Sequence, residues 1–437
     1  MTPFVLSLTI PAMLDIRLIR ENPEIVSQRL AARQRGDESL IEEILELDTN
    51  RRRLIAEVEK LKSERNALNK EIGTRKSRGE KVEDVFSQMK ERSDKIEALD
   101  KELAAIELQQ ENILLRVPNL PHKDCPEGSS AEDNPEVKIW GEQPVMSFTP
   151  LDHVQLAEKN GLIDFNAATK ISGSGFILYT GKGARLERAL IQFLLDLHTN
   201  EHGYTEISPP FIVREACMVG TSQLPKFTED MYAIAGENLY LVPTAEVPVT
   251  NIHREEILPR ERLPIYYAAY TPCFRKEAGS AGKETRGMIR VHQFDKIELV
   301  KIVEPSTSYQ ELESLRLNAE KVLELLGLHY RTIELCSGDI GFGATKCYDI
   351  EVWAPGSQRY LEVSSCSNFE DFQARRMALR YKDEHNKNQF CHTLNGSGTA
   401  LARLFVALIE TYQQADGSIQ LPEALAPYIP DLMIKGF

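Results

Sequence analysis

The chain has few of the features that would give it away at once. Its seven cysteines are odd in number, scattered between Cys125 and Cys391, and form no C-x-x-C pair. That argues against a disulfide framework and a structural zinc ribbon, and for buried, reduced thiols. No apolar run approaches the ~18 residues that a membrane-spanning helix needs, so no membrane partner is expected. The phosphate-cradling G-x-x-x-x-G-K-S/T sequence, a G-x-G-x-x-G following a strand, H-E-x-x-H and a nucleophile elbow are all missing. Basic residues are outnumbered, 52 against 66, for a formal net charge of −14 in 437 residues. By itself that sign disfavours a nucleic-acid partner, unless the basic residues are gathered in one place. The first twelve residues, Met1 to Ala12, are mildly apolar but lack a basic leader. They read as a disordered extension or as an upstream start ahead of Met13, with a cleaved signal as the lesser alternative.

What is present begins with a heptad ladder. Leu47, Leu54, Leu61 and Leu68 recur every seven residues, with Ile44, Val58 and Ile72 as companions and Arg51 and Arg65 as interruptions. After a break at Gly73-Thr-Arg-Lys-Ser-Arg-Gly79, a second ladder runs through Val85, Met89, Ile96, Leu99, Leu103, Ile106, Ile113 and Val117, interrupted by Arg92 and Gln110. A 3.5-residue period on both sides of a short glycine-bounded turn predicts an antiparallel coiled-coil hairpin. At ~1.5 Å per residue each arm would extend roughly 50 Å and would project from a globular body. Residues 51–81 carry eleven basic and five acidic side chains, a local balance of +6. A basic hairpin on an acidic chain would draw a polyanion to the hairpin, although coiled coils are charge-rich for solubility alone. The arm has almost no aromatic residues, which favours recognition of folded RNA by backbone and shape over base stacking.

Residues 118–144 are rich in Pro, Glu and Asn and read as a linker. Beyond them helical stretches (186–202, 308–326) alternate with short strands at 239–242, 265–269, 292–300, 349–353 and 360–363. This α+β pattern predicts a mainly antiparallel sheet flanked by helices.

Three dense segments carry candidate chemistry. Gly203-Tyr-Thr-Glu-Ile-Ser-Pro-Pro210 follows an amphipathic helix with Leu186, Leu190, Phe193 and Leu197 on one face. Phe274-Arg-Lys-Glu-Ala-Gly279 and Arg290-Val-His-Gln-Phe-Asp-Lys-Ile-Glu298 flank a polar loop with Lys283, Glu284, Thr285 and Arg286. Such a hairpin sets an arginine beside a facing aromatic, enough to hold a phosphate and stack a purine. Asn395-Gly-Ser-Gly-Thr-Ala-Leu-Ala-Arg403 enters an apolar helix at Leu404 to Tyr412, and reads as a Gly/Ser turn offering free N–H groups to an anion. Taken singly, Arg275 reads as a surface ion-pair partner, Phe294 as core, and the last segment as an ordinary helix start.

Together, and in this order, the three resemble the motifs of class II aminoacyl-tRNA synthetases. Thr244-Ala-Glu246, Val291-His-Gln-Phe294, Asp349-Ile-Glu-Val-Trp353, Glu362-Val-Ser-Ser-Cys-Ser-Asn368 and His392-Thr-Leu-Asn-Gly-Ser397 narrow the likeness to the bacterial-type seryl-tRNA synthetase family, from Met13-Leu-Asp-Ile-Arg17 onward. Lys276 departs from the family, which often has serine there. The likeness implies an extension at 1–12, a tRNA-binding helical hairpin domain at 13–117, the linker at 118–144 and a class II catalytic domain at 145–437. It also implies a cytoplasmic homodimer joined through the first motif. The activity implied is formation of seryl-adenylate from L-serine and ATP, then transfer to serine tRNA, with selenocysteine tRNA as a further candidate acceptor.

The same likeness assigns residues. Arg275 and Arg403 would be catalytic, Arg275 bridging the α-phosphate and the serine carboxylate, and Arg403 lying against adenine and holding the γ-phosphate. Phe294 would stack on adenine, Lys276 and Glu277 would contact the nucleotide, and Val291 would line its pocket. Glu362, Val363, Ser364 and Ser365 would complete the ATP site, with Glu362 and Ser365 holding Mg²⁺. Thr244, Ala245, Glu246, Glu298 and Ser397 would bind serine together with Arg275. Arg75, Lys76 and Arg78 would meet tRNA, whose elbow and long variable arm are what this family's helical hairpin reads. Two rivals stay open: a relative that passes its aminoacyl-adenylate to a carrier protein, and an RNA-binding coiled-coil scaffold with an inactive body. The long basic arm counts against the first, and the intact Arg275, Glu298, Glu362 and Arg403 against the second.

Overall fold

The computed structural model describes residues 14–278 and 286–435. Expectations for Met1–Ala12 and for Gly279, Lys283, Glu284 and Thr285 lie outside those residues. The described chain divides into two compact units, 14–31 with 35–118, and 32–34 with 119–435. In the first unit, helices α1 (Leu40–Ser77) and α2 (Glu83–Leu114) form the hairpin. Ile44, Leu54, Val58, Leu61 and Ile72 of α1 and Val85, Ile96 and Leu114 of α2 are buried in its seam. Ion pairs cross the seam between Arg51 and Glu107 (3.0 Å), Glu57 and Lys95 (2.8 Å), and Glu64 and Arg92 (2.9 Å). As residue numbers rise on one helix they fall on the other, which is the antiparallel pairing predicted. Two of the polar interruptions, Arg51 and Arg92, are therefore cross-seam partners. Helix α1 does not break at Gly73 but continues to Ser77. A lone glycine costs only ~1 kcal/mol in a helix, and buried Ile72 and the Glu71–Arg75 pair hold the last turn. The stop is Gly79, at φ 73°, whose N–H reaches Lys76 O at 3.1 Å.

The second unit is built on an eight-stranded sheet. Its strands are β1 (Glu136–Trp140), β2 (Thr205–Ile207), β3 (Ile265–Phe274), β4 (Gln293–Val303), β5 (Tyr330–Glu334), β6 (Lys346–Ala354), β7 (Arg359–Asn368) and β8 (His392–Ala400), in the order β1-β5-β6-β7-β8-β4-β3-β2. Every pairing is antiparallel except β2 with β3. Strand β1 falls inside the Pro- and Asn-rich stretch, and the expected strand near 239 pairs with Ile212–Arg214 in a separate ribbon. The helices that matter for the site are α3 (Gly181–Asp196), α4 (Glu246–Thr250), α5 (Ser308–Leu325), α6 (Phe372–Met377) and α7 (Leu401–Thr411).

Alternation along the strands separates the two faces of the sheet. Ala268, Ile297, Leu299, Ile350, Val352 and Leu394 pack with Leu186 and Leu190 of α3, Leu315 and Val322 of α5, and Phe405 and Leu408 of α7. Each buried aliphatic side chain contributes about 1.5–3 kcal/mol, so this face anchors the unit. The other face is polar along the middle strands. Two β-bulges shape it, between Glu362 and Ser364 in β7 and between Ser397 and Thr399 in β8. Without the first, Glu362 and Ser365 would point to opposite faces; the extra residue sets them opposite Glu351 and Asp349, on the same side. The segment Asn395–Gly398, expected as a turn offering free N–H groups, is strand. Its neighbours β7 and β4 claim both edges, and helix α7 starts only at Leu401.

Candidate active site

A cleft of about 440 Å³ opens on the polar face. Arg275 directly follows β3, and Phe294 on β4 lies opposite Cys273, so the register of one hairpin brings cation and ring together. The Arg275 guanidinium carbon sits 5.3 Å above the Phe294 ring, and its Nε donates to Pro243 O at 3.2 Å. Two residues further, Glu277 takes a left-handed backbone at φ 51° and accepts from Arg290 Nη1 at 2.5 Å. Arg403, in the first turn of α7, donates to Glu362 O at 2.7 Å and to Ile289 O at 3.1 Å. Two guanidiniums therefore stand ready for a polyanion beside an aromatic face.

The deep end is carboxylate-rich. Lys296 and Glu298 are two residues apart on β4 and so share the polar face, where Lys296 Nζ pairs with Glu298 and donates to Thr244 Oγ1 at 2.9 Å. Thr244 Oγ1 donates to Glu298 Oε2 at 2.5 Å. Glu246, from α4, accepts from Gln373 Nε2 of α6 at 2.6 Å. Burial, and then the neighbouring charge of Glu298, push its carboxyl up to about 7.

A second recess of about 410 Å³ shares Glu362 and Ser365 with the cleft and adds Asp339, Asp349 and Glu351. Burial, with the Glu362 charge next, raises the Asp349 carboxyl well above the usual carboxylate range. Among the described residues no three His, Cys, Asp or Glu side chains form a metal cage. One carboxylate and one hydroxyl, Glu362 and Ser365, nonetheless suit a Mg²⁺ ion that keeps waters and shares substrate phosphates. They fit that ion, and would not serve a softer metal.

Of the residues expected to bind ligands, Thr244, Glu246, Arg275, Glu277, Val291, Phe294, Glu298, Glu362, Val363, Ser365, Ser397 and Arg403 line the cleft. Ala245, Lys276 and Ser364 do not. Ala245 is packed with Val249, Ala269 and Val300, and the exposed Lys276 reaches over Tyr232 at 5.7 Å. Ser364 is buried on the far side of the bulge and donates to Ser397 O at 2.6 Å. At the hairpin tip, Arg75 is held by Glu71 and by Asp84 (3.0 Å), Lys76 lies 5.3 Å over Phe86, and Arg78 caps α1. The sequence reading missed Lys296, Asn395 and Ser367, which line the cleft, and Gln373, which supports Glu246. Lys296 had a usable signal: a lysine two residues before Glu298, on the same side of a strand rich in aliphatic residues.

Residues 229–412 match the family described as tRNA synthetase class II core domain (G, H, P, S and T), so the sheet and cleft are those of a class II aminoacyl-tRNA synthetase. Residues 13–121 match the seryl-tRNA synthetase N-terminal domain. A serine--tRNA ligase of Akkermansia muciniphila is 58% identical over 416 residues, covering 95% of this chain and 97% of that protein. The chain is also similar to seryl-tRNA synthetase of Pyrococcus horikoshii, solved in complex with ATP, at 37% identity and a TM-score of 0.92, over 97% of this chain and 100% of that one. The cytoplasmic serine–tRNA ligase of Naegleria fowleri, solved with AMP, gives 28% identity and a TM-score of 0.86 over 97% and 99% of the two chains. The chain belongs to the seryl-tRNA synthetase family, a family of aminoacyl-tRNA ligases.

Proposed function

We propose that this chain activates L-serine with ATP and transfers the seryl group to the 3′ end of serine tRNA. The observation that carries the reading is the polarity of the cleft: one lining holds Arg403 and Arg275 stacked on Phe294, together with Glu246 and the Thr244–Glu298 pair. A zwitterion laid along it puts its ammonium on the carboxylates and its carboxylate toward Arg275, beside a nucleotide stacked on Phe294.

Both chemical steps then proceed without a protein nucleophile. The serine carboxylate oxygen attacks the α-phosphorus and pyrophosphate leaves. A terminal ribose hydroxyl of tRNA next attacks the acyl carbon, and AMP leaves. Positioning and charge neutralisation supply the rate. Arg275 bridges carboxylate and α-phosphate, Arg403 holds the γ-phosphate, Glu277 contacts the nucleotide and Val291 lines its pocket. Mg²⁺ held by Glu362 and Ser365 would neutralise phosphate charge. Glu298 accepts from the substrate, with Ser397 beside it, and alanine would leave that buried acceptor unpaired. Lys76 and Arg78 at the basic hairpin tip contact tRNA phosphates, and serine tRNA, with selenocysteine tRNA as a second candidate, is the acceptor. The working form is a cytoplasmic homodimer, as the family likeness implies.

ATP–pyrophosphate exchange without tRNA tests the reading. Serine should support exchange far better than alanine, threonine or cysteine. No exchange with any of the four would overturn it.

A further inference from the structure

Lys296 has no task in the reaction as derived. It is 6% exposed, on a strand whose residues from Lys296 to Val303 are all buried. Its ammonium contacts both Thr244 Oγ1 and Glu298 Oε2, and burying such a charge is costly unless its partners are held in place.

The hydrogen-bond inventory around Thr244 decides what remains for a ligand. Lys296 can only donate, so the hydroxyl accepts from it, and it also accepts from the Glu246 N–H at 3.2 Å. Its own proton goes to Glu298 Oε2 at 2.5 Å. One donation and two acceptances exhaust a hydroxyl. Thr244 thus has no hydrogen bond left to offer a substrate. Among the described residues, both polar contacts of the Glu298 carboxylate fall on Oε2, which leaves Oε1 for the cleft that Glu298 lines. The other titratable groups that feel the Glu298 charge are Glu246 from α4, Cys273 of β3 and, through the sheet, Cys366 of β7.

We propose that Lys296 is a positioning residue for substrate selection: with Thr244 as the bridge it locks Glu298 Oε2, so that Oε1 alone reads the substrate hydroxyl, and it thereby sets discrimination of serine against alanine. The inference rests on the serine reading above and deepens it. A carboxylate with one oxygen immobilised cannot turn to repair the bond that alanine fails to make. Freed from Lys296, it can re-pair with neighbours and the penalty for alanine shrinks.

The test is pyrophosphate exchange by the full-length wild type, K296M and K296R, with serine and alanine, and with the KM for ATP measured alongside. For K296M the KM for serine should rise by about 100-fold, as for a buried ion pair that loses one partner. The serine-to-alanine ratio of kcat/KM should fall by about tenfold or more while the KM for ATP moves less than about twofold. K296R, which keeps the charge, should restore part of the ratio. If K296M does not fold, Thr244→Val removes the bridge alone and should lower the ratio in the same direction. An unchanged ratio in K296M, or in T244V where that stands in, overturns the proposal, as do parallel losses for serine and ATP. Wild-type protein inactive with serine defeats the functional reading itself, a result separate from either.

Discussion

The hairpin and the cleft use charge in opposite ways. Along α1 and α2, ionic side chains are exposed, paired across a thin apolar seam, and replaceable one at a time. In the cleft, Lys296, Glu298 and Glu246 are each less than a tenth exposed and interlocked, so that no one of them changes without the others. Exposed pairs contribute about 0–1 kcal/mol, whereas removing one partner of a buried pair costs about 3–5 kcal/mol. On the proposed function, a long polyanion would be met by many weak contacts, and a small zwitterion by a few costly ones. The chain as a whole is acidic, yet the basic excess near the tip acts locally because fields are screened beyond about 10 Å.

That contrast can be broken from either side. The largest effect belongs to Arg275→Ala, which should lower kcat/KM for serine-dependent exchange by about 10³-fold, near 4 kcal/mol, with little change in Tm. Glu246 comes next. Its carboxyl is raised in the folded state, so the native protein holds a proton that the unfolded chain releases near pH 4.5. Stability should therefore fall as pH rises from about 4.5 to 7, by up to roughly 3 kcal/mol. Thermal melts across that range should show this slope, and Glu246→Gln should flatten it. Gly398→Ala is third: its Cβ would stand 2.7 Å from His198 Nε2, with Ile297 close behind. The bulge would shift, at about 2 kcal/mol in Tm-derived stability and with a weaker KM for serine through Ser397. Lys76→Ala with Arg78→Ala should weaken tRNA charging by about tenfold and reduce the slope of log affinity against log salt by about two, with exchange untouched. Arg92→Ala, which removes the solvent-screened pairs with Glu64 and Glu91, should cost about 0.5 kcal/mol and nothing in either assay. A cleft variant with hairpin-sized effects, or the reverse, would erase the contrast.

The hairpin was legible because its pattern is local: a 3.5-residue period, a left-handed glycine and a run of basic residues lie consecutively in the chain. Even there the helix end was misplaced at Gly73, since propensity yields to the seam beside it. The site was legible as words. Thr244, Arg275, Phe294, Glu298, Glu362 and Arg403 do come to line one cleft. Within those words, adjacency in sequence is not adjacency in the cleft. Ala245 and Ser364 sit between cleft residues in sequence yet are buried in neighbouring packing, Ala245 on Ala269 and Val300 and Ser364 against Ser397 O, and Lys276 lies outside on Tyr232.

What the sequence determined by itself is the inventory: which segments coil, which alternate, and which polar side chains are available. Only the tertiary structure decided which of them share a face. The Gly-rich stretch before Arg403 became strand because two neighbouring strands needed its N–H and C=O groups. Glu362 and Ser365 came to one side because a bulge added a residue between them. Lys296 gained a partner because strand β4 runs beside the chain leading into α4, bringing together residues 52 apart in sequence. Side-chain periodicity is a property of one strand, whereas register and bulges are properties of strand pairs, and no single segment contains them.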